Sequence, residues 1–146
     1  MTQEDKDLLL KDLCSRVYYQ IKVLYNGNVK EIQYVEPLYY EVKLLDTGNY
    51  TIDISDIKPY LRPMSSMTEE EFEKLKEYSG LKYEQLDLAS YQNGIYKCLD
   101  FYLSEVPSYV VILVFDWLNK NHFDYRGLIE HGLAIEVTEE NNPYKE

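Results

Sequence analysis

Apolar residues recur along the first half of the chain with two successive periods, and the change between them is the first structural information the sequence carries. Between residues 3 and 14, Leu9, Leu10 and Leu13 form a helical stripe, Thr2 stands where an N-cap belongs, and Glu4 and Asp5 fall in the first turn, where the helix dipole favours negative charge. From Val17 the spacing becomes two. Val17, Tyr19, Ile21, Val23 and Tyr25 alternate with Tyr18, Gln20, Lys22 and Leu24, the pattern of a strand with one buried face. Asn26-Gly27 accepts the positive φ angles of a tight hairpin turn, so residues 29–35 are expected to return antiparallel until Glu36-Pro37 ends them. Leu38, Tyr40, Val42 and Leu44 alternate next, and after "DTGN" so do Tyr50, Ile52 and Ile54. These spacings predict a four-stranded antiparallel meander over about residues 17–54.

The following stretch holds Pro59 and Pro63, each fixing φ and biasing the residue before it away from helix, and is expected to lead out of the sheet. Thr68 as cap, Glu69 to Glu71 in the first turn, Phe72, Leu75 and Tyr78 on one face and Gly80 past the end predict a helix. Residues 81–93 carry no assignable pattern. Ile95, Cys98, Leu99 and Tyr102 have helical spacing. In the run from Pro107 through Asn121 the β-branched "VVILVF" favours a strand, whereas the stripe Val110, Leu113, Val114, Trp117 and Leu118 favours a helix, which is the assignment adopted. The expected fold is therefore α+β, a single domain over 1–146, with the meander covered on one face by N-terminal and C-terminal helices and a loosely held tail at about 138–146.

Composition narrows the function classes. Hydrophobic residues are 45% of the chain and charged residues 28%, which places it among globular rather than disordered proteins. The acidic start "MTQEDKD" and an apolar run of only seven residues, "YVVILVF", point to neither export nor a membrane span, so a cytoplasmic protein is expected. Cys14 and Cys98 lack any metal-ligand spacing and read as free thiols, with a single bridge left open. The net charge of −11 argues against nucleic acid or an anionic membrane as partner, since such binding draws on Lys and Arg. A basic protein is the natural partner, and sixteen tyrosines suit a protein interface. Tyr18, Tyr39 and Tyr60 are expected outside the core; they could stack bases, but no basic groove accompanies them.

The densest chemistry lies in "NKNHFDYRGLIEHGLA", Asn119 to Ala134. Most of it has a structural explanation: Asn119 or Asn121 ends a helix, Asp124 caps a short new one, Leu128, Ile129 and Leu133 bury, and Gly132 supplies the stop after His131. His122, Tyr125 and Arg126 are left over. With Asp124, and with Arg62 brought near by the fold, they form the candidate binding set, in which His122 would act as acid/base, Asp124 would orient it and Arg126 would clamp an anion. No known metal spacing, nucleophile elbow or glycine-rich phosphate cradle is present, so no catalytic residue, metal or cofactor is assigned.

Two blocks, "LRPMSSMTEEE" (61–71) and "DWLNKNHFDYRGLIEHGLAIE" (116–136), together about a fifth of the chain, resemble a family of small proteins encoded by gut Bacteroides-type bacteria and their phages. The resemblance implies a cytoplasmic accessory protein of a bacterium or its phage or prophage, and it carries no activity or site residue with it. Three functions are compatible with the sequence. The first is a noncatalytic acidic protein-binding module, of which a DNA mimic with acids spaced like phosphates would be one form. The second is a small enzyme or ligand-binding protein using the His122, Asp124 and Arg126 cluster, and the third a self-associating structural component.

Overall fold

Thr2 opens the first helix, α1 (Gln3–Arg16): its hydroxyl accepts from the Asp5 amide, and the Asp5 carboxylate accepts from the Thr2 amide. This reciprocal cap satisfies amides that a helix start leaves without intrahelical partners. The computed structural model describes residues 1–80, Gln92 and residues 108–145. It places them in two compact units, Met1–Arg62 with Arg126–Glu146, and Pro63–Tyr125.

In the first unit the four strands of the meander are β1 (Lys22–Tyr25), β2 (Asn28–Glu36), β3 (Glu41–Leu44) and β4 (Thr51–Asp53), each antiparallel to the next. Asn26 and Gly27, at φ 49° and 76°, make the turn that sets Tyr25 opposite Asn28. The strands are shorter than the alternation suggests, for local reasons. α1 runs on to Arg16, so the chain reverses through a 3-10 turn at Val17–Tyr19 and a left-handed Gln20 before β1 begins. Pro37, with φ already set for a helical turn, starts a second 3-10 turn at Pro37–Tyr39. Leu38, which the alternation directs inward, is consequently 86% exposed. Asp53 accepts from both the amide and the hydroxyl of Ser55, at 2.8 and 2.7 Å, and that turn ends β4.

The larger correction concerns residues 58–63, which do not lead out of the sheet. They form β5 (Lys58–Pro63), antiparallel to β1 with Val23 opposite Pro59 and Leu24 opposite Lys58. Val23 lies at an odd position, and the odd positions of β1 direct their backbone groups toward β2, as the bond from the Ile32 amide to the Ile21 carbonyl shows. Pro59 therefore owes the ladder no amide, and Pro63 stands at the strand's end, where proline is tolerated. Two short strands follow late in the chain, β6 (Phe123–Asp124) and β7 (Ile135–Glu136), and β7 pairs in parallel with β5, Tyr60 opposite Ile135. The sheet is thus mixed, with the order β4-β3-β2-β1-β5. Its core joins Leu9 and Leu13 of α1 to Val23, Val42, Ile54 and Leu61. Tyr60, expected outside the core, is buried, because β5 is an interior strand rather than a loop.

The second unit has its own core. Helix α2 (Glu69–Ser79) starts with a capping box between Thr68 and Glu71 and ends at Gly80, φ 71°, as its sequence predicts. Helix α3 (Ser108–Lys120) is the run that periodicity left between strand and helix; Val110, Val114, Trp117 and Leu118 form its buried stripe against Phe72 and Leu75. Trp117 stacks on Phe123 with ring centroids 5.8 Å apart. Tyr78 faces partly outward and donates from its hydroxyl to Asp116 at 2.6 Å. The helix expected around Ile95, Cys98, Leu99 and Tyr102 lies outside the described residues. Among the described residues no helix is long and apolar enough to cross a membrane.

Leu38 and Leu61 separate the sequence pattern from the structure. Leu61→Ala is expected to cost about 2–5 kcal/mol, and Leu38→Ala to stay within about 0.5 kcal/mol, both read by urea denaturation. Equal costs would place Leu38 in the core and contradict the 3-10 turn.

Candidate functional site

The stretch from Asn119 to Ala134 is built by the end of α3 and the return of the chain into the first unit. Asn121 closes the helix, its amide and its side-chain nitrogen both donating to the Trp117 carbonyl, at 3.1 and 2.9 Å. The left-handed position is not Asn119 or Asn121 but His122, φ 64°, whose amide donates to Asn119. Asn119 is buried, and its side-chain oxygen accepts from the Tyr125 hydroxyl at 2.7 Å. That bond holds Tyr125 in the core of the second unit, tilted against Phe115 at 4.9 Å. Asp124 is buried in β6 and caps no helix; extended backbone at 123–124 and a left-handed Gly127, φ 78°, leave room only for one turn.

That turn ends as the sequence indicates. Gly132, φ 72°, donates to Ile129, and Leu133 donates to Leu128, the paired bonds with which a left-handed glycine closes a helical turn. Leu128 and Leu133 are both buried beside it. His131 is exposed, with Nδ1 2.8 Å from the Gly127 carbonyl oxygen.

Arg126 is committed inside the first unit. One guanidinium nitrogen donates to Asp12 Oδ1 at 3.0 Å and another to Ser15 Oγ at 3.0 Å, 114 and 111 residues away in sequence. Asp12 also takes two bonds from Arg16, at 2.8 and 3.0 Å. Asp12 and Arg16 are both 0% exposed, and the side chain of Arg126 only 15%. One carboxylate thus sits between two guanidinium forks. Sequence reasoning left Asp12 unmarked, although an acid four residues before an arginine on one helix face is a readable pair; what the sequence does not show is that this face is buried.

Of the candidate set, Arg62 is half-buried on β5 and belongs with Arg126 to the first unit, while His122, Asp124 and Tyr125 belong to the second. Tyr125 bonds to Asn119 in the second unit and Arg126 to Asp12 and Ser15 in the first, and among the described residues no group of three or more His, Cys, Asp or Glu side chains is placed to hold a metal ion.

Two further features belong to the first unit. The tail expected to be loosely held brings Tyr144 inside, where its hydroxyl donates to the Tyr60 carbonyl at 2.9 Å and accepts from the Lys22 amide at 3.1 Å. Burial pushes this phenol well above the usual tyrosine range, with the charges of Arg16 and Asp12 acting on it in opposite directions. The second is a shallow groove of about 350 Å³ lined by Cys14, Val17, Tyr18, Gln33, Tyr34 and Val35. Gln33 is the extra residue of a bulge in β2, where Ile32 faces Leu44 and Tyr34 faces Lys43. The bulge breaks the alternation, so Gln33 and Tyr34 both face solvent. Desolvation beside the groove raises the Cys14 thiol above its usual range.

Two outcomes are expected. Asp12→Ala leaves Arg16 and Arg126 without their shared carboxylate and should cost about 3–5 kcal/mol by denaturant unfolding; a cost under 1 kcal/mol would show that water replaces it. A phenol whose pKa is raised on folding stabilises fully below its unfolded value of about 10 and loses that contribution as pH climbs above it. Wild type should therefore lose melting temperature between pH 10 and 11.5 more steeply than Tyr144→Phe, and parallel slopes would contradict the assignment. No family model, curated protein or solved structure matches the chain.

Proposed function

We propose that this protein is a noncatalytic, acidic protein-binding factor that docks a basic partner through the tyrosines around the groove of its first unit. The observation that carries the reading is the exposure of Tyr18 (86%) and Tyr34 (40%) on the rim of that groove, with Tyr39 exposed nearby in sequence. Tyrosine supplies contact area with little side-chain entropy to lose and a hydroxyl that bonds at a wet rim, and it is enriched in interfaces for that reason. A net charge of −11 favours a partner with clustered Lys or Arg and speeds its encounter.

The alternative, a ligand site on His122, Asp124 and Arg126, has less support. An anion clamp needs an uncommitted fork, and both terminal nitrogens of Arg126 already donate, one to Asp12 and the other to Ser15. The resemblance of the two sequence blocks to proteins of gut Bacteroides-type bacteria and their phages supports placing the factor in a bacterial cytoplasm, as an accessory of the host, a phage or a prophage.

The test compares immobilised wild type with the double variant Tyr18→Ala, Tyr34→Ala in retaining proteins from bacterial lysate, identified by mass spectrometry. Both side chains are exposed, Tyr34 less so than Tyr18, so the variant should keep the wild-type circular dichroism spectrum and lie within about 1 kcal/mol of its stability. A basic protein held by wild type and lost from the variant is the expected result. Identical retained sets would remove the groove from the account, and retention of the chain itself alone would favour self-association.

A further inference from the structure

Tyr144 occupies the place of a backbone hydrogen bond. Odd residues of β1 direct their backbone groups to β2, so the even residues Leu24 and Lys22 direct theirs to β5. Leu24 faces Lys58, and the same register carried two residues on would set Lys22 opposite Tyr60. Pairing stops before that point. In place of a bond from the Lys22 amide to the Tyr60 carbonyl there are two, amide to phenol oxygen at 3.1 Å and phenol hydroxyl to carbonyl at 2.9 Å. The hydroxyl, donor and acceptor at once, stands in the ladder as an inserted water would, while its ring is largely shielded from solvent.

The segment that delivers this ring is joined to the body by an exposed span. Val137 is fixed by its amide to the Leu61 carbonyl at 2.8 Å, after which residues 138–142 are exposed, with Thr138 and Asn141 bonded to each other. The Tyr144 amide is held only two residues back, by the Asn142 side chain. The two groups that bond the hydroxyl therefore belong to β1 and β5, and the tail contributes the occupant.

We propose that the seat of Tyr144 is a phenol-binding site filled in cis. The gap between Lys22 and Tyr60 selects a ring bearing a hydroxyl para to its point of attachment, and it accepts such a ligand when the chain's own tyrosine is withdrawn. Its ligand class is a para-substituted phenol, of which a tyrosine side chain is the natural example.

The probe is p-cresol, the tyrosine side chain without its backbone, with toluene as the control that fills space and offers no hydroxyl. Tyr144→Ala should melt below wild type and regain melting temperature saturably with p-cresol, whereas toluene leaves it unchanged and wild type responds to neither. If Tyr144→Ala is unfolded, p-cresol should restore its circular dichroism spectrum. Absence of a saturable response, or an equal one with toluene or in wild type, would overturn the site. Tyr144→Phe gives an independent reading: with the hydroxyl gone, exchange of the Lys22 amide should quicken on the order of tenfold while that of Val23 holds, and a wild-type rate at Lys22 would overturn the ladder role.

Discussion

The carboxylate of Asp12, buried between the guanidinium groups of Arg16 and Arg126, is the constraint on which the first unit depends. Burying three charges is expensive, and an apolar replacement of equal volume is often no less stable. What such a cluster supplies is a defined arrangement. Once Asp12 and Arg16 are removed from water on one face of α1, an orphaned charge is costly, and Arg126 must come to that place. The chain re-enters the first unit at Arg126, so the cluster fixes where the last twenty-one residues begin. Ile135 and Glu136 then meet Tyr60 and Leu61 in parallel, and Tyr144 reaches the gap between β1 and β5.

The parts of this fold that were legible in the sequence are those decided by local chemistry. Both capping boxes, the Asn26-Gly27 hairpin, the Gly80 and Gly132 stops and the four-stranded meander all follow from residues within a few positions of one another. The stretch at 58–63 misled because two prolines normally exclude a central strand; register alone excuses Pro59, and register is not visible before the partner strands are known. Leu38 misled because Pro37 sets a turn whose geometry overrides a period of two. Asp12, Arg16 and Tyr144 went unmarked because their meaning lies in partners 84 to 122 residues away, or in a helix face whose burial no local pattern announces.

The same division governs function. The stretch richest in functional residue types, 119–134, directs Asn119, Tyr125 and Arg126 inward to partners of the chain, which gives those three a structural role. Among the exposed large side chains on the described part of the first unit are four tyrosines, Tyr18, Tyr34, Tyr39 and Tyr50, on a body that carries excess negative charge. A molecule that binds through such a surface needs a rigid platform more than a reactive group, and the bulge in β2 and the committed end of α1 supply it beneath the groove.

The most direct measurement of the central claim is a double-mutant cycle between Asp12 and Arg126, with Asp12→Ala, Arg126→Ala and the pair compared by denaturant unfolding. If the shared carboxylate fixes the returning chain, the two losses are not additive, and the coupling lies at about 1–3 kcal/mol. Additivity within about 0.5 kcal/mol would mean that the two residues act separately, and that the path of the C-terminal segment is set by something other than this cluster.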